Sequence, residues 1–147
     1  MARKEKNRIV HQPPLYSEFK PAGVAARFLN QIELSLDEYE ALRLADYEGM
    51  SQDEASFEMD ISRPTFTRLI EKARKKMVEF IVTGKKLKIV DGNIHFKNNV
   101  FKCLDCEQMF VMQINETVSL CPSCSSENVT NLAGGFGHGR CCVDHED

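Results

Sequence analysis

Ser51–Lys76, SQDEASFEMDISRPTFTRLIEKARKK, reads as two helices joined by a short turn. Ser51 followed by Glu54 is a capping box that opens the first helix. Ala55 is small enough to let a second helix cross closely, and Met59-Asp60-Ile61 ends the first helix and turns the chain. Ser62 can N-cap the second helix, with Pro64 tolerated in its first turn. Phe66, Leu69, Ile70, Ala73 and Met77 then recur at helical spacing and make one apolar face. The opposite face carries Pro64, Thr67, Arg68, Glu71, Lys72 and Lys75, with Arg63 and Thr65 beside it at the helix start.

A helix-turn-helix divides its second helix in this way, one side held by the core and the N-terminal polar residues facing base edges in the major groove. Arg63, Thr65, Thr67 and Arg68 are the candidate base readers, because arginine binds guanine bidentately and threonine meets a base or the thymine methyl. Lys72, Arg74, Lys75 and Lys76 are the candidate phosphate contacts. The competing reading is an ordinary amphipathic hairpin with a solvated charged face. The cap, the turn and the basic face fall in register, which favours DNA.

Upstream, Ser35 and Glu38 form another capping box, with Leu34 and Tyr39 placed as a hydrophobic staple. That helix runs through Leu42, Leu44 and Ala45 toward Tyr47, with Gly49 placed to end it, and supplies the third helix the motif needs. The recognition helix should continue through Phe80 and Ile81 to Gly84, followed by a strand-like Leu87–Val90. Phe28, Leu29 and Ile32 read as a short helix or strand on the core. Arg3, Lys4, Lys6 and Arg8 make a basic N-terminal arm that either tracks DNA or is simply solvated.

FKPAG, LSLDEYEALRLADYEGMSQDEA, ISRPTFTRLIEKARKK and GKKLKI, in that order between about Arg3 and Gly92, resemble the DUF134 or UPF0251 family of small predicted DNA-binding proteins. The helix-turn-helix is also similar to the promoter-reading region four of sigma factors. The resemblance implies the fold and DNA contact but no target sequence.

The chain has 147 residues and a net charge of −3, low for a DNA binder until the charge is mapped. Glu33 to Asp60 holds ten acidic residues and one basic, whereas Arg63 to Lys88 holds nine basic and two acidic. Positive charge is thus concentrated where phosphates would lie. The acidic face must point away, toward RNA polymerase, another protein, a second copy or water. No apolar run reaches membrane length and MARKEKNRIV lacks a signal-peptide core, so a cytoplasmic protein is expected. Six cysteines in a reducing compartment then point to metal or redox chemistry.

Cys103, Cys106, Cys121 and Cys124 give C-x2-C-x14-C-x2-C. Two tight turns, each presenting two sulfurs, suit a tetrahedral metal. Strand-like Met109–Met112, Thr117–Leu120 and Val129–Leu132 complete what resembles a zinc ribbon. A rubredoxin-type iron site has a similar arrangement with glycine after each pair. Glu107 and Ser125 stand there instead, which favours zinc over iron. A four-thiolate site is closed, hence structural. In the tail, His138, Cys141, Cys142 and His145 offer a second metal or redox site, or are incidental to a flexible glycine-rich segment. That tail resembles those of small proteins linked to iron–sulfur and iron–molybdenum cofactor handling.

The expected architecture is therefore a mainly α helix-turn-helix domain over 1–92 (core 35–84), a small β zinc-ribbon-like domain over 99–132, and a tail over 133–147. The expected function is a non-enzymatic transcription regulator binding double-stranded DNA as a homodimer, its ribbon serving partner binding or dimerisation. The alternative is a metal- or redox-responsive protein whose cysteines sense a metal or an iron–sulfur-related partner. No phosphate-cradling glycine loop or nucleophile–base pair supports an enzyme.

Overall fold

The computed structural model describes residues 8–91, 94–96, 99–112 and 119–132. In order these are β1 (Arg8–Val10), β2 (Glu18–Phe19), a 3-10 turn at Ala26–Phe28, β3 (Gln31–Ser35) and α1 (Leu36–Leu42). A π-helical turn at Arg43–Tyr47 leads to α2 (Gln52–Glu58) and α3 (Arg63–Thr83). Then follow β4 (Lys86–Val90), β5 (Ile94–Phe96), β6 (Asn99–Cys103), β7 (Met109–Met112) and β8 (Val129–Asn131). The chain forms two compact units, one built on β1 and Pro14–Ile94, the other on His11–Pro13 and the described residues from His95.

The first unit corrects the expectation of a mainly α domain. It contains a three-stranded sheet in the order β2-β4-β3, so the unit is mixed α and β. β3 and β4 run parallel, from Gln31 opposite Lys86 to Ser35 opposite Val90, and β2 adds antiparallel to β4. The cause is a period-two pattern at each end of the helical segment. Ile32 and Leu34 alternate with polar residues in β3, as Leu87 and Ile89 do in β4, and the register sets Ile32 opposite Leu87 and Leu34 opposite Ile89. All four are buried, so a slip of one residue would turn the apolar side chains of one strand to the wrong face. A parallel pair needs a long crossover, and α1, α2 and α3 are that crossover.

The helix ends follow the sequence signals. Ser35, the last residue of β3, is also the N-cap of α1, and its N–H donates to the Glu38 carboxylate at 2.9 Å. Ser51 Oγ accepts from the Glu54 N–H, and Ser62 Oγ from the Thr65 N–H. Between α2 and α3 the chain turns through a left-handed Asp60 (φ 55°). Gly84, left-handed at φ 67°, stops α3 by donating to the Phe80 carbonyl. Ala41, Leu44, Ala55, Met59, Phe66, Leu69 and Ile70 form the helical core, in which Ala55 is fully buried.

The acidic residues of α1 do not make an outward face. Asp37, Glu38 and Glu40 are all buried, each beside a cation. Arg8 Nη1 lies 2.6 Å from Asp37, Lys76 Nζ 2.7 Å from Glu38, and Arg43 Nε 2.5 Å from Glu40. Lys76 also donates to the Glu33 carbonyl at 2.8 Å, so one ammonium ties α3 to both α1 and β3.

In the second unit β7-β6-β8 form an antiparallel sheet, and Phe101 stacks on Phe110 at 5.6 Å between centroids. The expected strand at Val129–Leu132 is present as β8. Of the one expected at Thr117–Leu120, Thr117 and Val118 lie outside the described residues, and Ser119 and Leu120 form a bend.

Removing one partner of a buried pair strands the other charge. Lys76→Met should therefore destabilise the chain by about 2–3 kcal/mol in denaturant unfolding, with Glu38→Gln in the same background recovering most of the loss. Equal stability of Lys76→Met and wild type would show that the pair holds nothing in place.

Candidate nucleic-acid interface and metal centre

The N-terminal half of α3 is fixed on one side and open on the other. Phe66, Leu69, Ile70 and Ala73 are buried, whereas Arg68, Lys72 and Lys75 are exposed at i, i+4 and i+7, a stripe about 10 Å long. None of these three cations has a hydrogen-bond or ion-pair partner among the described residues. Arg63 is also exposed, and its Nη1 lies 3.3 Å from the Asp53 carboxylate.

The remaining candidates are engaged within the fold. Arg74 holds Asp46 with two guanidinium nitrogens, at 3.1 and 2.7 Å, and this hydrogen bond holds the Asp46 carboxyl below the usual carboxylate range. Lys76 is committed to Glu38 and Glu33 as above. The Thr65 hydroxyl lies 2.7 Å from Ser62 Oγ in the helix cap. Thr67 Oγ1 lies 2.5 Å from Gln52 Oε1 and 3.1 Å from the Arg63 carbonyl, bridging α3 to the first residue of α2. The structure thus gathers Arg68, Lys72 and Lys75 as open cations, leaves Arg63 exposed but paired with Asp53, and turns Arg74 and Lys76 into struts. Gln52, which no sequence motif marked, joins the site. Its only signal was its place directly after the Ser51 cap.

Cys103, Cys106, Cys121 and Cys124 come together with all four sulfurs within 4.8 Å of one another. Cys103 and Cys124 are 3.6 Å apart, Cys106 and Cys121 3.7 Å. A tetrahedral site with metal–sulfur bonds of about 2.3 Å has sulfur–sulfur edges of about 3.8 Å, so the set can hold a metal ion such as zinc. Each tight turn aims amides at a sulfur: Cys106 N–H at Cys103 Sγ, and Ser123 N–H at Cys121 Sγ. The turns are cross-linked by side chains, Asp105 accepting from Ser126 and Asn128, and Ser123 donating to Gln108 at 2.6 Å. Glu107 and Ser125, each directly after a pair, are left-handed at φ 64° and 61°. The positions where the rubredoxin pattern has glycine do require glycine-like backbone here. His138, Cys141, Cys142 and His145 lie outside the described residues, as do Arg3, Lys4 and Lys6 of the N-terminal arm.

The thiols are inequivalent. The Cys106 amide draws the Cys103 thiol down to about 7, and the Cys124 amide lowers Cys121. Although the Gln108 and Ser126 amides favour their thiolates, neighbouring sulfurs and burial outweigh them at Cys106 and Cys124, and Cys124 is pushed up to about 12. Cys106 and Cys124 therefore keep their protons at neutral pH, and a metal bound there would have to displace them.

Two consequences are measurable. Competition with a chromophoric chelator should show apparent zinc affinity rising with pH between about 6 and 8, because each retained proton must leave; a flat profile would contradict it. Glu107→Gly and Ser125→Gly should each stabilise the metal-loaded ribbon by about 1 kcal/mol in thermal unfolding, since a left-handed backbone costs a side-chain-bearing residue about that much.

A family model described as "Protein of unknown function DUF134" matches residues 1–97. A UPF0251 protein of Chloroherpeton thalassium is 43% identical over 143 residues, 95% of each chain. One of Chlorobaculum tepidum is 41% identical over 145 residues, 95% of this chain and 74% of its own. One of Clostridium novyi is 38% identical over 129 residues, 88% of each. The first two matches span the ribbon as well as the helical unit. No solved structure is significantly similar. Residues 1–97 and these full-length likenesses place the chain in the DUF134 (UPF0251) family.

Proposed function

We propose that the chain is a transcription regulator that reads duplex DNA with α3 and carries a structural zinc ribbon. The observation behind this reading is the open stripe of Arg68, Lys72 and Lys75 on a helix whose other face is buried and braced. Solvated lysines are common, but here neighbouring cations of the same helix are consumed by Asp46 and Glu38 while these three are spared. Arg63 and Arg68 lie in the N-terminal turns that enter a major groove, and Lys72 and Lys75 lie further along, where phosphates are met. A single helix of this kind reads few base pairs, so the reading includes a homodimer on a two-fold-symmetric site. With the α1 carboxylates buried, an acidic docking surface for RNA polymerase or another protein would be drawn from the exposed Asp46, Glu48, Asp53, Glu54 and Asp60 around α2. The site is a binding surface, and no catalytic role is proposed for it.

Zinc is the metal this reading assigns. The site would be closed and structural, its binding energy stabilising the ribbon and leaving the ribbon surface for a partner. A second reading, a metal- or redox-responsive protein, is favoured by one feature: Cys106 and Cys124 are exposed, so two of the four sulfurs are open to oxidants and chelators.

Selection from random duplexes should enrich one motif with the full chain. Arg68→Ala should then cost about 1–3 kcal/mol on that motif and much less on scrambled DNA, while Lys72→Ala and Lys75→Ala should weaken both alike and each flatten the salt dependence by about one unit. Equal losses on both duplexes for Arg68→Ala would remove its base-reading role. If the second reading holds, chelation or peroxide treatment shifts affinity for the selected motif; insensitivity to both would discard it.

A further inference from the structure

The polar contacts between the first turns of α2 and α3 point to a DNA contact outside the recognition helix. Gln52 opens α2 and is half-buried, and its side chain meets Thr67 Oγ1 at 2.5 Å. One residue on, Asp53 meets Arg63 at 3.3 Å. Gln52 and Asp53 are thus stitched to Thr67 and Arg63, residues one turn apart on α3.

The Gln52 amide is only partly used. With its oxygen toward Thr67, the hydroxyl donates to that oxygen and both amide hydrogens stay free. With the amide turned over, one hydrogen goes to Thr67 Oγ1, whose own proton serves the Arg63 carbonyl 3.1 Å away. In either orientation at least one Gln52 N–H has no partner among the described residues, and its carboxamide is still held by one edge. Thr67, its hydroxyl occupied in both cases, is a poor base reader and a good brace.

We propose that Gln52 donates this free N–H to a backbone phosphate of bound duplex DNA, and that Thr67 is the positioning residue that holds it there. The proposal rests on the DNA-binding reading above. In a helix-turn-helix the first helix crosses the sugar–phosphate backbone, and glutamine amides are among the neutral donors that phosphates accept. The phosphate assignment also suits the local charge. Asp53 would repel a bare phosphate, but its carboxylate is partnered with Arg63, which leaves a neutral donor beside a balanced ion pair.

The deciding experiment titrates the full-length chain against its selected motif and a scrambled duplex, with thermal unfolding of each variant alongside. Gln52→Glu keeps an acceptor for the Thr67 hydroxyl but replaces the donor with a carboxylate, and an acid at the start of α2 favours the helix. It should melt at or above wild type yet lose roughly tenfold or more on both duplexes, as expected for a lost hydrogen bond to a charged acceptor. Gln52→Ala should lose somewhat less. Thr67→Val should weaken binding and Thr67→Ser restore it, and the Gln52→Ala, Thr67→Val double variant should bind no worse than Gln52→Ala alone. Binding by Gln52→Glu within about twofold of wild type would overturn the assignment, as would a fall in its melting temperature matching its loss of binding, or single losses that multiply in the double variant. A loss confined to the selected motif would overturn the phosphate in favour of a base edge. Wild-type protein that binds no duplex at all would overturn the DNA reading itself, and this contact with it.

Discussion

The parallel pairing of Gln31–Ser35 with Lys86–Val90 is the constraint on which the first unit depends. It clamps the two ends of a fifty-residue helical segment side by side, with the Lys86 N–H donating to the Asn30 carbonyl at 2.8 Å where the pairing begins. Because Ser35 ends β3 and caps α1 at once, the direction of α1 is set by the sheet with no linker between. Because Gly84 ends α3 and Lys86 starts β4, the far end of α3 is set in the same way. Three helices joined only by turns could splay. Three helices inside a closed parallel crossover cannot, and the angle at which α3 presents its outer face is fixed accordingly.

Electrostatics then decides which charges that face keeps. Each buried carboxylate of α1 costs desolvation, which only a close cation offsets. Arg8, Arg43 and Lys76 are drawn inward by that requirement, and Arg74 is drawn sideways to Asp46. Arg68, Lys72 and Lys75 lie on the strip of α3 where no cation is paired with an acidic side chain among the described residues, exposed Glu71 included. The acidic first half of the chain therefore serves as an internal counter-charge that sorts the cations of α3 into struts and open contacts. A net charge of −3 says nothing of this, because a paired charge and an open one count equally in the sum.

This sorting also marks how far the sequence could be read. The caps at Ser35, Ser51 and Ser62, the stop at Gly84, the apolar stripe of α3 and the cysteine spacing are local signals, complete within a few residues, and each is realised. The strand at Leu87–Val90 was legible and is realised as β4, but its pairing into a sheet was missed, because Ile32 and Leu34 show only two alternations and the pairing spans the whole helical segment. A helical wheel of α3 places Arg74 and Lys76 among the basic residues but cannot show Asp46 or Glu38 beside them. Gln52 was invisible for the same reason, since its partner lies fifteen residues on, across a turn. Local chemistry was legible, and partnership across elements was not.

The ribbon is held on different terms. Its described buried apolar groups are few, Phe96, Val100 and the two inner cysteines, with Phe101 and Phe110 stacked but half-exposed. Against them stand two left-handed side-chain-bearing residues, Glu107 and Ser125, each costing about 1–2 kcal/mol. The hydrogen bonds from Ser126, Asn128 and Ser123 bring the two turns together, but exposed polar contacts contribute little each. A structural zinc ion at the four sulfurs would contribute about 10–16 kcal/mol, as it does in zinc-finger peptides, more than all of these together. The helical core, by contrast, is composed wholly of residues from Ala41 to Ile70 and closed by a sheet of Glu18–Val90. A metal held by the four sulfurs would thus outweigh the ribbon's other described contacts, whereas the described helical core rests on apolar packing.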